Sequence, residues 1–281
     1  MSLTGGAATG ADATSWPRWA RANVSAAMTV LAATPRFGAV QGTRARVLAT
    51  GLATILLVTV AMAFADAPLA AASKQLPRWV HEIFAFVSDF GKSGWFLWPT
   101  GLALAAIAAV SSPALAPLSR RVLAAIAVRT GFLFAAIAVP SLFSTIIKRV
   151  VGRARPFVGT EADPFLYWPM VWRADYASMP SGHTTSAFAA AIAVGLLWPR
   201  LRPLMLIYAL IIAVSRVVLD AHYLSDVIAG AFVGSMGALI VRDWFARRHL
   251  GFVVGAHGVT HPLPGPSWAR IKRVARSLIA P

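Results

Sequence analysis

Three short clusters in the 281-residue chain combine residue types that suit catalysis better than packing. Lys148 is followed at a Lys-x6-Arg-Pro spacing by Arg155-Pro156, Pro180-Ser181-Gly182-His183 forms a second cluster, and Ser215-Arg216 leads to His222 and Asp226 in a third. Lys148, Arg155 and Arg216 suit an oxyanion whose charge is spread over several oxygens, such as a phosphoryl group in an in-line transition state. The two guanidinium groups offer planar forks and the lysine a mobile point charge. Ser181 adds a hydroxyl, and Gly182 permits close backbone approach at the mouth of a helix, whose N-terminus favours anions. Asp226 stands four residues after His222, one helical turn away. It can hold the imidazole in one tautomer and leave the other nitrogen free to attack. His183 is then the acid that protonates the leaving oxygen and, in reverse, the base that activates water. With His222 neutral and His183 protonated at the start, the rate should follow a bell in pH. The scheme calls for no metal and no cofactor.

Composition indicates what must position these groups. The chain is 58% hydrophobic and only 13% charged, whereas a soluble domain carries about 25% charged residues. Six apolar stretches, residues 47–65, 94–116, 122–147, 183–198, 204–219 and 225–241, approach the roughly 20 residues that a spanning helix needs. The expected fold is an all-α polytopic membrane helix bundle with about six transmembrane helices. It divides into residues 1–46, a cytoplasmic segment that is interfacial or partly disordered; 47–243, the membrane domain; and 244–281, a cytoplasmic tail. In the tail Trp268, Ile271, Val274 and Leu278 oppose Lys272, Arg273 and Arg276, the pattern of a basic amphipathic helix on an anionic leaflet. No cleavable signal pattern is evident, so the first span is expected to remain as an anchor.

Six spans put both termini on one side. Arg36, Arg44, Arg46, Arg120, Arg121, Arg200, Arg202, Arg242, Arg247 and Arg248 fall together on it, which makes that side cytoplasmic. All three clusters then face outward, toward the periplasm if the membrane is a bacterial inner membrane. Lys148, Arg149, Arg153 and Arg155 gather on that outer face, where positive charge is normally sparse. Arg149 and Arg153 read equally as further contacts to the anion and as solvated or headgroup-bound cations, and they stay outside the core site. Residues 157–179, with Phe157, Phe165, Trp168, Trp172, Arg173 and Tyr176, read equally as a lid and as an interfacial aromatic belt. Trp79, Ile83, Phe84 and Val87 give residues 66–93 the apolar face of an interfacial helix. Arg129 is read as snorkelling near the inner end of the third span.

The formal charge of +16 comes from 26 basic residues scattered between apolar spans, so anionic membrane lipids, not nucleic acid, are the expected partners. The absence of cysteine excludes disulfides, iron–sulfur clusters and thiolate zinc sites. His257 and His261 are four residues apart but lack a third ligand.

In order and spacing, the three clusters resemble the signature of the type 2 phosphatidic acid phosphatase family, which also includes soluble acid phosphatases and vanadium haloperoxidases. The resemblance covers about residues 90–243. It implies hydrolysis of a lipid phosphate or pyrophosphate through a phosphohistidine, with His222, His183 and Asp226 catalytic and Lys148, Arg155, Ser181, Gly182 and Arg216 holding the phosphate. Asp220 and Leu224 depart from the Gly and Pro that relatives often carry, which is read as substrate tuning. The family's substrates include undecaprenyl pyrophosphate, phosphatidylglycerol phosphate, phosphatidic acid and lipid A phosphates; an outward site favours the polyprenyl carrier or lipid A. The competing reading is an anion or lipid transporter or binding protein that uses the same cations. Anion passage needs no nucleophile, so the histidine–aspartate pair argues for hydrolysis. Halide oxidation on bound vanadate belongs to relatives that are typically soluble.

Overall fold

The computed structural model describes residues 16–35, 42–255 and 258–279. Ten α-helices are found among these residues: α1 (Trp16–Ala32), α2 (Thr43–Phe64), α3 (Asp66–Lys74), α4 (Arg78–Asp89), α5 (Gly94–Val110), α6 (Pro117–Val151), α7 (Gly182–Leu197), α8 (Arg202–Val218), α9 (Leu224–Ala246) and α10 (Trp268–Ile279). Local chemistry sets several boundaries. Pro117 opens α6, where its fixed φ suits the first turn, and Gly152 closes that helix in the left-handed region with its N–H on the Lys148 carbonyl. At the start of α9 the Asp226 carboxylate accepts the Tyr223 backbone N–H at 2.9 Å, satisfying a donor that would otherwise be orphaned.

Among the described residues, five segments are long and apolar enough to cross a membrane: Val47–Phe64, Arg78–Val110, Pro117–Val151, Pro199–Val218 and Leu224–Ala246. The second runs through α4 and α5 together. The remaining expected span, residues 183–198, is α7. With 16 residues it is about 24 Å long, short of a bilayer core of roughly 30 Å.

α7 is instead the centre of the bundle, packed against α6, α8 and α9. Its buried side chains are all small: Thr184, Thr185, Ser186, Ala187, Ala189, Ala190, Ala191, Ala193 and Gly195. Small residues on both helices let backbones approach closely. A Cβ on Gly234 of α9 would lie 2.2 Å from the Thr185 carbonyl oxygen. The large apolar side chains point the other way: Leu52, Ile55 and Leu56 of α2 and Trp98 and Leu102 of α5 are exposed, as a bilayer-facing surface requires.

The end of the bundle opposite the three clusters is tied by the terminal segments. Trp19 and Asn23 of α1 donate to the carbonyls of Ala109 (2.8 Å) and Ala108 (3.0 Å) at the C-terminus of α5, and Asn23 also to Ser111 (2.8 Å). Phe132 meets Phe245 and Phe252 edge-on, with centroids at 5.5 and 4.7 Å. A short antiparallel hairpin, β1 (Phe252–Val254) with β2 (Thr260–Pro262), was not anticipated. The amphipathic tail helix is present, but its apolar residues Ile271 and Val274 pack against protein, Val274 being buried with Val122 and Leu123 of α6. Arg129 does not snorkel: it donates to the Leu263 and Pro264 carbonyls, both at 2.8 Å, and clamps the tail to α6. His261 lies in β2 and His257 falls outside the described residues.

The close contact between α7 and α9 gives a first expected outcome. Gly234→Val places a side chain against backbone that cannot yield, so it should destabilise the protein by about 1–3 kcal/mol, the usual cost of overpacking. Thermal unfolding in detergent checks this; an unchanged midpoint would mean the helices are not so tightly joined.

Candidate active site

The C-terminal ends of α6 and α8 and the N-terminal ends of α7 and α9 meet at one end of the bundle, and backbone hydrogen bonds stitch the three clusters together. Ser181 N–H donates to the Asp226 carbonyl at 3.0 Å, Ser178 N–H to Arg153 O at 3.1 Å and Arg155 N–H to Asp175 O at 2.8 Å. All eight residues singled out by spacing are in this region. Lys148 Nζ lies 3.0 Å from where a Gly182 Cβ would stand, so the lysine occupies space that only glycine leaves. Lys148, Arg155 and Arg216 are close enough for their charges to act on one another, and His183 lies within the same field. Three cations held this near each other repel, and an anion among them relieves that cost.

The guanidinium groups carry a second indication. Nε of Arg155 and Nε of Arg216 are buried without a hydrogen-bond partner, a state that costs about 1–3 kcal/mol per group when left uncompensated. Arg216 is further oriented by Nη1 donating to Ser88 Oγ at the end of α4. Ser181, fully buried, stands just before the first turn of α7 with Thr184 Oγ1 donating to its Oγ at 3.1 Å. Two cationic forks, a lysine and a helix N-terminus, each a group that suits an oxyanion, thus lie in one region of the bundle. Burial lowers the Arg155 pKa against the pull of Asp226, yet an arginine remains charged at any physiological pH.

His222 is buried in the loop between α8 and α9. Its Nδ1 lies 3.6 Å from Asp226 Oδ2, longer than a hydrogen bond. Ser178 stands between them, with Oγ 3.4 Å from Nδ1 and donating to Asp226 Oδ2 at 2.5 Å. Since the serine proton goes to the carboxylate, its oxygen is left to accept from Nδ1–H. This chain assigns the proton to Nδ1 and the free lone pair to Nε2. The expected direct grip of Asp226 on His222 is therefore relayed through a serine that spacing did not identify. Burial pushes the imidazole pKa down to about 4, outweighing the opposing pull of Asp226, so His222 is neutral at pH 7.

The largest correction concerns Arg153, which is neither solvated nor at a headgroup. It is fully buried, with Nη1 donating to Asp226 Oδ1 at 2.6 Å, Nη2 to Asp66 Oδ2 at 2.8 Å and Nε to the Pro164 carbonyl at 3.0 Å. Its guanidinium also lies 4.5 Å from the centroid of the Tyr223 ring. Burial alone would lower its pKa, but Asp226 and the hydrogen bond to Asp66 raise it. Asp66, the first residue of α3, also accepts from Ser225 N–H at 3.0 Å and from Ser225 Oγ. It was not singled out, although a carboxylate closing an apolar run is a signal in its own right. Arg149, by contrast, donates to the exposed Arg173 carbonyl at 2.8 Å and stays at the rim.

The segment after α6 folds back on the end of that helix. Trp168 N–H donates to Gly152 O at 2.7 Å and Ala154 N–H to Leu166 O at 2.9 Å, while Phe165, Trp168 and Trp172 face outward. It is a strap bonded to the end of α6 and the start of the first cluster's loop, with aromatic side chains on its outer face. Gly152 makes the fold-back possible: its φ is +62° and a Cβ would sit 1.9 Å from the Trp168 carbonyl oxygen.

The sequence model of the PAP2 superfamily matches residues 129–250, from within α6 through all three clusters to just past α9, and the chain belongs to that superfamily. Among its relatives is a lipid A 1-phosphatase of Rhizobium etli, 31% identical over 207 residues, which covers 73% of this chain and 88% of the relative. Phosphatidylglycerophosphatase B of Escherichia coli is 38% identical over 79 residues, 26% of this chain and 31% of the relative. The crystal structure of a transmembrane PAP2 type phosphatidylglycerolphosphate phosphatase from Bacillus subtilis aligns with a TM-score of 0.45 at 17% identity, over 68% of this chain and 92% of that one.

The buried charges predict a stability effect. Arg153→Ala leaves Asp66 and Asp226 buried without their shared cation, which should cost about 3–5 kcal/mol. Thermal unfolding in detergent would register this as a large fall in midpoint, whereas Arg173→Ala, which removes an exposed partner of Asp175, should leave the midpoint unchanged. Equal midpoints for the two variants would contradict the assignment.

Proposed function

We propose that the protein is a membrane-embedded lipid phosphatase that cleaves a lipid phosphate or pyrophosphate through a phosphohistidine on His222, with no metal in the reaction. The observation that carries this reading is the serine-relayed imidazole, whose Nε2 lone pair is free, beside two buried guanidinium Nε donors that lack partners.

The phosphate lies among Lys148, Arg155 and Arg216 and against the N-terminus of α7. Nε2 of His222 attacks phosphorus as the bond to the lipid oxygen breaks, and the cations offset charge on the three equatorial oxygens. The Nδ1 proton stays on the imidazole, where Ser178 and Asp226 balance the positive charge that develops. His183 protonates the departing lipid oxygen. It then takes a proton from water, which attacks the phosphohistidine and frees inorganic phosphate. No carboxylate lies within ion-pair distance of His183 among the described residues, so the bound dianion itself supplies the charge that favours a protonated His183. Arg153 and Asp66 hold Asp226 from behind.

The names of the relatives support a lipid A phosphate as the first substrate to test; phosphatidylglycerol phosphate is the second. The site faces the periplasm and both termini are cytoplasmic, a reading supported by the basic residues Arg120, Arg121, Arg200, Arg202, Arg242 and Arg247 around the opposite helix ends.

The test is phosphate release by purified protein from lipid A, phosphatidylglycerol phosphate, phosphatidic acid and undecaprenyl pyrophosphate, with chelator present. At least one lipid should be hydrolysed. His222→Ala should abolish release, and His183→Ala should lower kcat by about 10²–10⁴-fold. Because His222 loses its proton near pH 4, kcat/KM should fall on the acid side only as pH drops toward 4, well below the ordinary histidine range of about 6.5. No release from any lipid by folded protein would remove the phosphatase reading and bring binding or transport forward.

A further inference from the structure

An apolar furrow of about 240 Å³ runs between α4 and α8, walled by Val87 and Phe90 on one side and by Leu204, Ile207 and Ile212 on the other. The one hydroxyl on its lining, Tyr208, is engaged by the Phe90 carbonyl at 2.9 Å, so the furrow presents no free polar group. It adjoins the candidate active site at two points. Val87 adjoins Ser88, which holds Arg216, and Ile212 lies one helical turn before that arginine. Gly91 packs between the two regions: a Cβ there would stand 2.6 Å from Ile212 and 3.1 Å from His183. From Ile212 the furrow follows α8 toward Leu204, a rise of about 12 Å along the helix. It therefore runs from beside the Arg216 end of α8 toward the depth of the bilayer, and the exposed Asp89–Lys92 pair flanks Phe90 in sequence.

We propose that this furrow holds a hydrocarbon chain of the lipid whose phosphate lies between Lys148, Arg155 and Arg216, so that α4 and α8 select substrates by chain. The inference rests on the phosphatase reading for its substrate but on the furrow's own geometry for its location. A chain seated there is held at a set distance from the phosphate, because Ser88 and Gly91 join the furrow's walls to Arg216 and His183. Binding energy from the non-reacting tail thereby serves to place phosphorus against His222. Bulk added midway along the furrow obstructs the chain without touching any group that contacts phosphate.

Two measurements test it. The first compares kcat/KM for dipalmitoyl phosphatidic acid with that for glycerol phosphate, which presents the same ester without chains. Ile207→Trp and Leu204→Trp should each lower the ratio by about tenfold or more, a usual discrimination for one apolar pocket. Leu57→Trp, on the exposed face of α2, should keep the wild-type ratio. Unchanged ratios in both furrow variants would overturn the proposal. The second uses phosphatidic acid with a photoreactive group in its chain and reads the labelled peptides by mass spectrometry. Labelling within residues 87–90 and 204–212 that inorganic phosphate reduces supports the furrow, whereas labelling confined to other helices overturns it. This readout needs no turnover, so a protein that hydrolyses nothing would end the phosphatase reading while the labelled peptides still decide the furrow.

Discussion

Asp66, Arg153 and Asp226 lie in sequence far apart and in space around one guanidinium group, all shielded from water. None of the three can be buried alone, because taking an isolated charge out of water costs several kcal/mol even after relaxation. Their pairing is thus a condition on the arrangement of the whole helix-end region. Asp66 begins α3 directly after α2, Arg153 follows α6 and Asp226 lies in the first turn of α9. Satisfying Arg153 fixes the relative positions of those segments, and the strap adds the Pro164 carbonyl as a further acceptor. The same network carries on through Ser178 to His222. Packing of small residues around α7 brings the helices close, but charge pairing sets where their ends stop.

How this arrangement could be read beforehand depended on the distance over which each interaction acts. The main apolar helices were legible because hydropathy is a property of continuous sequence. Residues 94–116 were expected as a span and α5 ends at Val110, since Ser111-Ser112-Pro113 disfavours helix. α6 runs to Val151, beyond the expected end at residue 147, and stops only where Gly152 takes up the left-handed conformation. The site residues within the three clusters were legible because their chemical types recur at short fixed spacings. Asp66 was not, since it meets Arg153 across 87 positions of sequence. Ser178 could have been noticed, lying three residues before Ser181, but serine so close to a glycine turn carries little information alone. Arg153 misled for a definite reason: a cation past the end of a span is ordinarily solvated, and only its two carboxylate partners reverse that expectation.

The two ends of the bundle show different physics. At the site end most buried polar groups of the described residues are mutually satisfied, apart from the Nε atoms of Arg155 and Arg216 and the Tyr223 hydroxyl. At the opposite end, beside one buried ion pair between neighbouring residues, Arg242 and Asp243, the contacts are aromatic edges, capped carbonyls of α5 and the clamp that Arg129 makes on the tail. These contacts hold α1 and α10 against the bundle. They leave the site end to be shaped by charge, which suits the separation of a stable frame from a reactive surface.

The shortness of α7 reaches beyond its packing. A helix about 6 Å shorter than the hydrocarbon core cannot have both ends at the membrane surface. Whichever end is set deeper, the surrounding protein and lipid must make up the difference, by local thinning of the bilayer or by a water-filled depression above the sunken end. If that end is the glycine-led N-terminus, a lipid phosphate reaches it by sinking a few ångströms from the headgroup plane, without leaving its leaflet. Hydrolysis would then yield two products of opposite solubility from one spot, an ion that returns to water and a lipid that stays in the bilayer. Their separation would follow from solvent partitioning, with no moving part required of the protein.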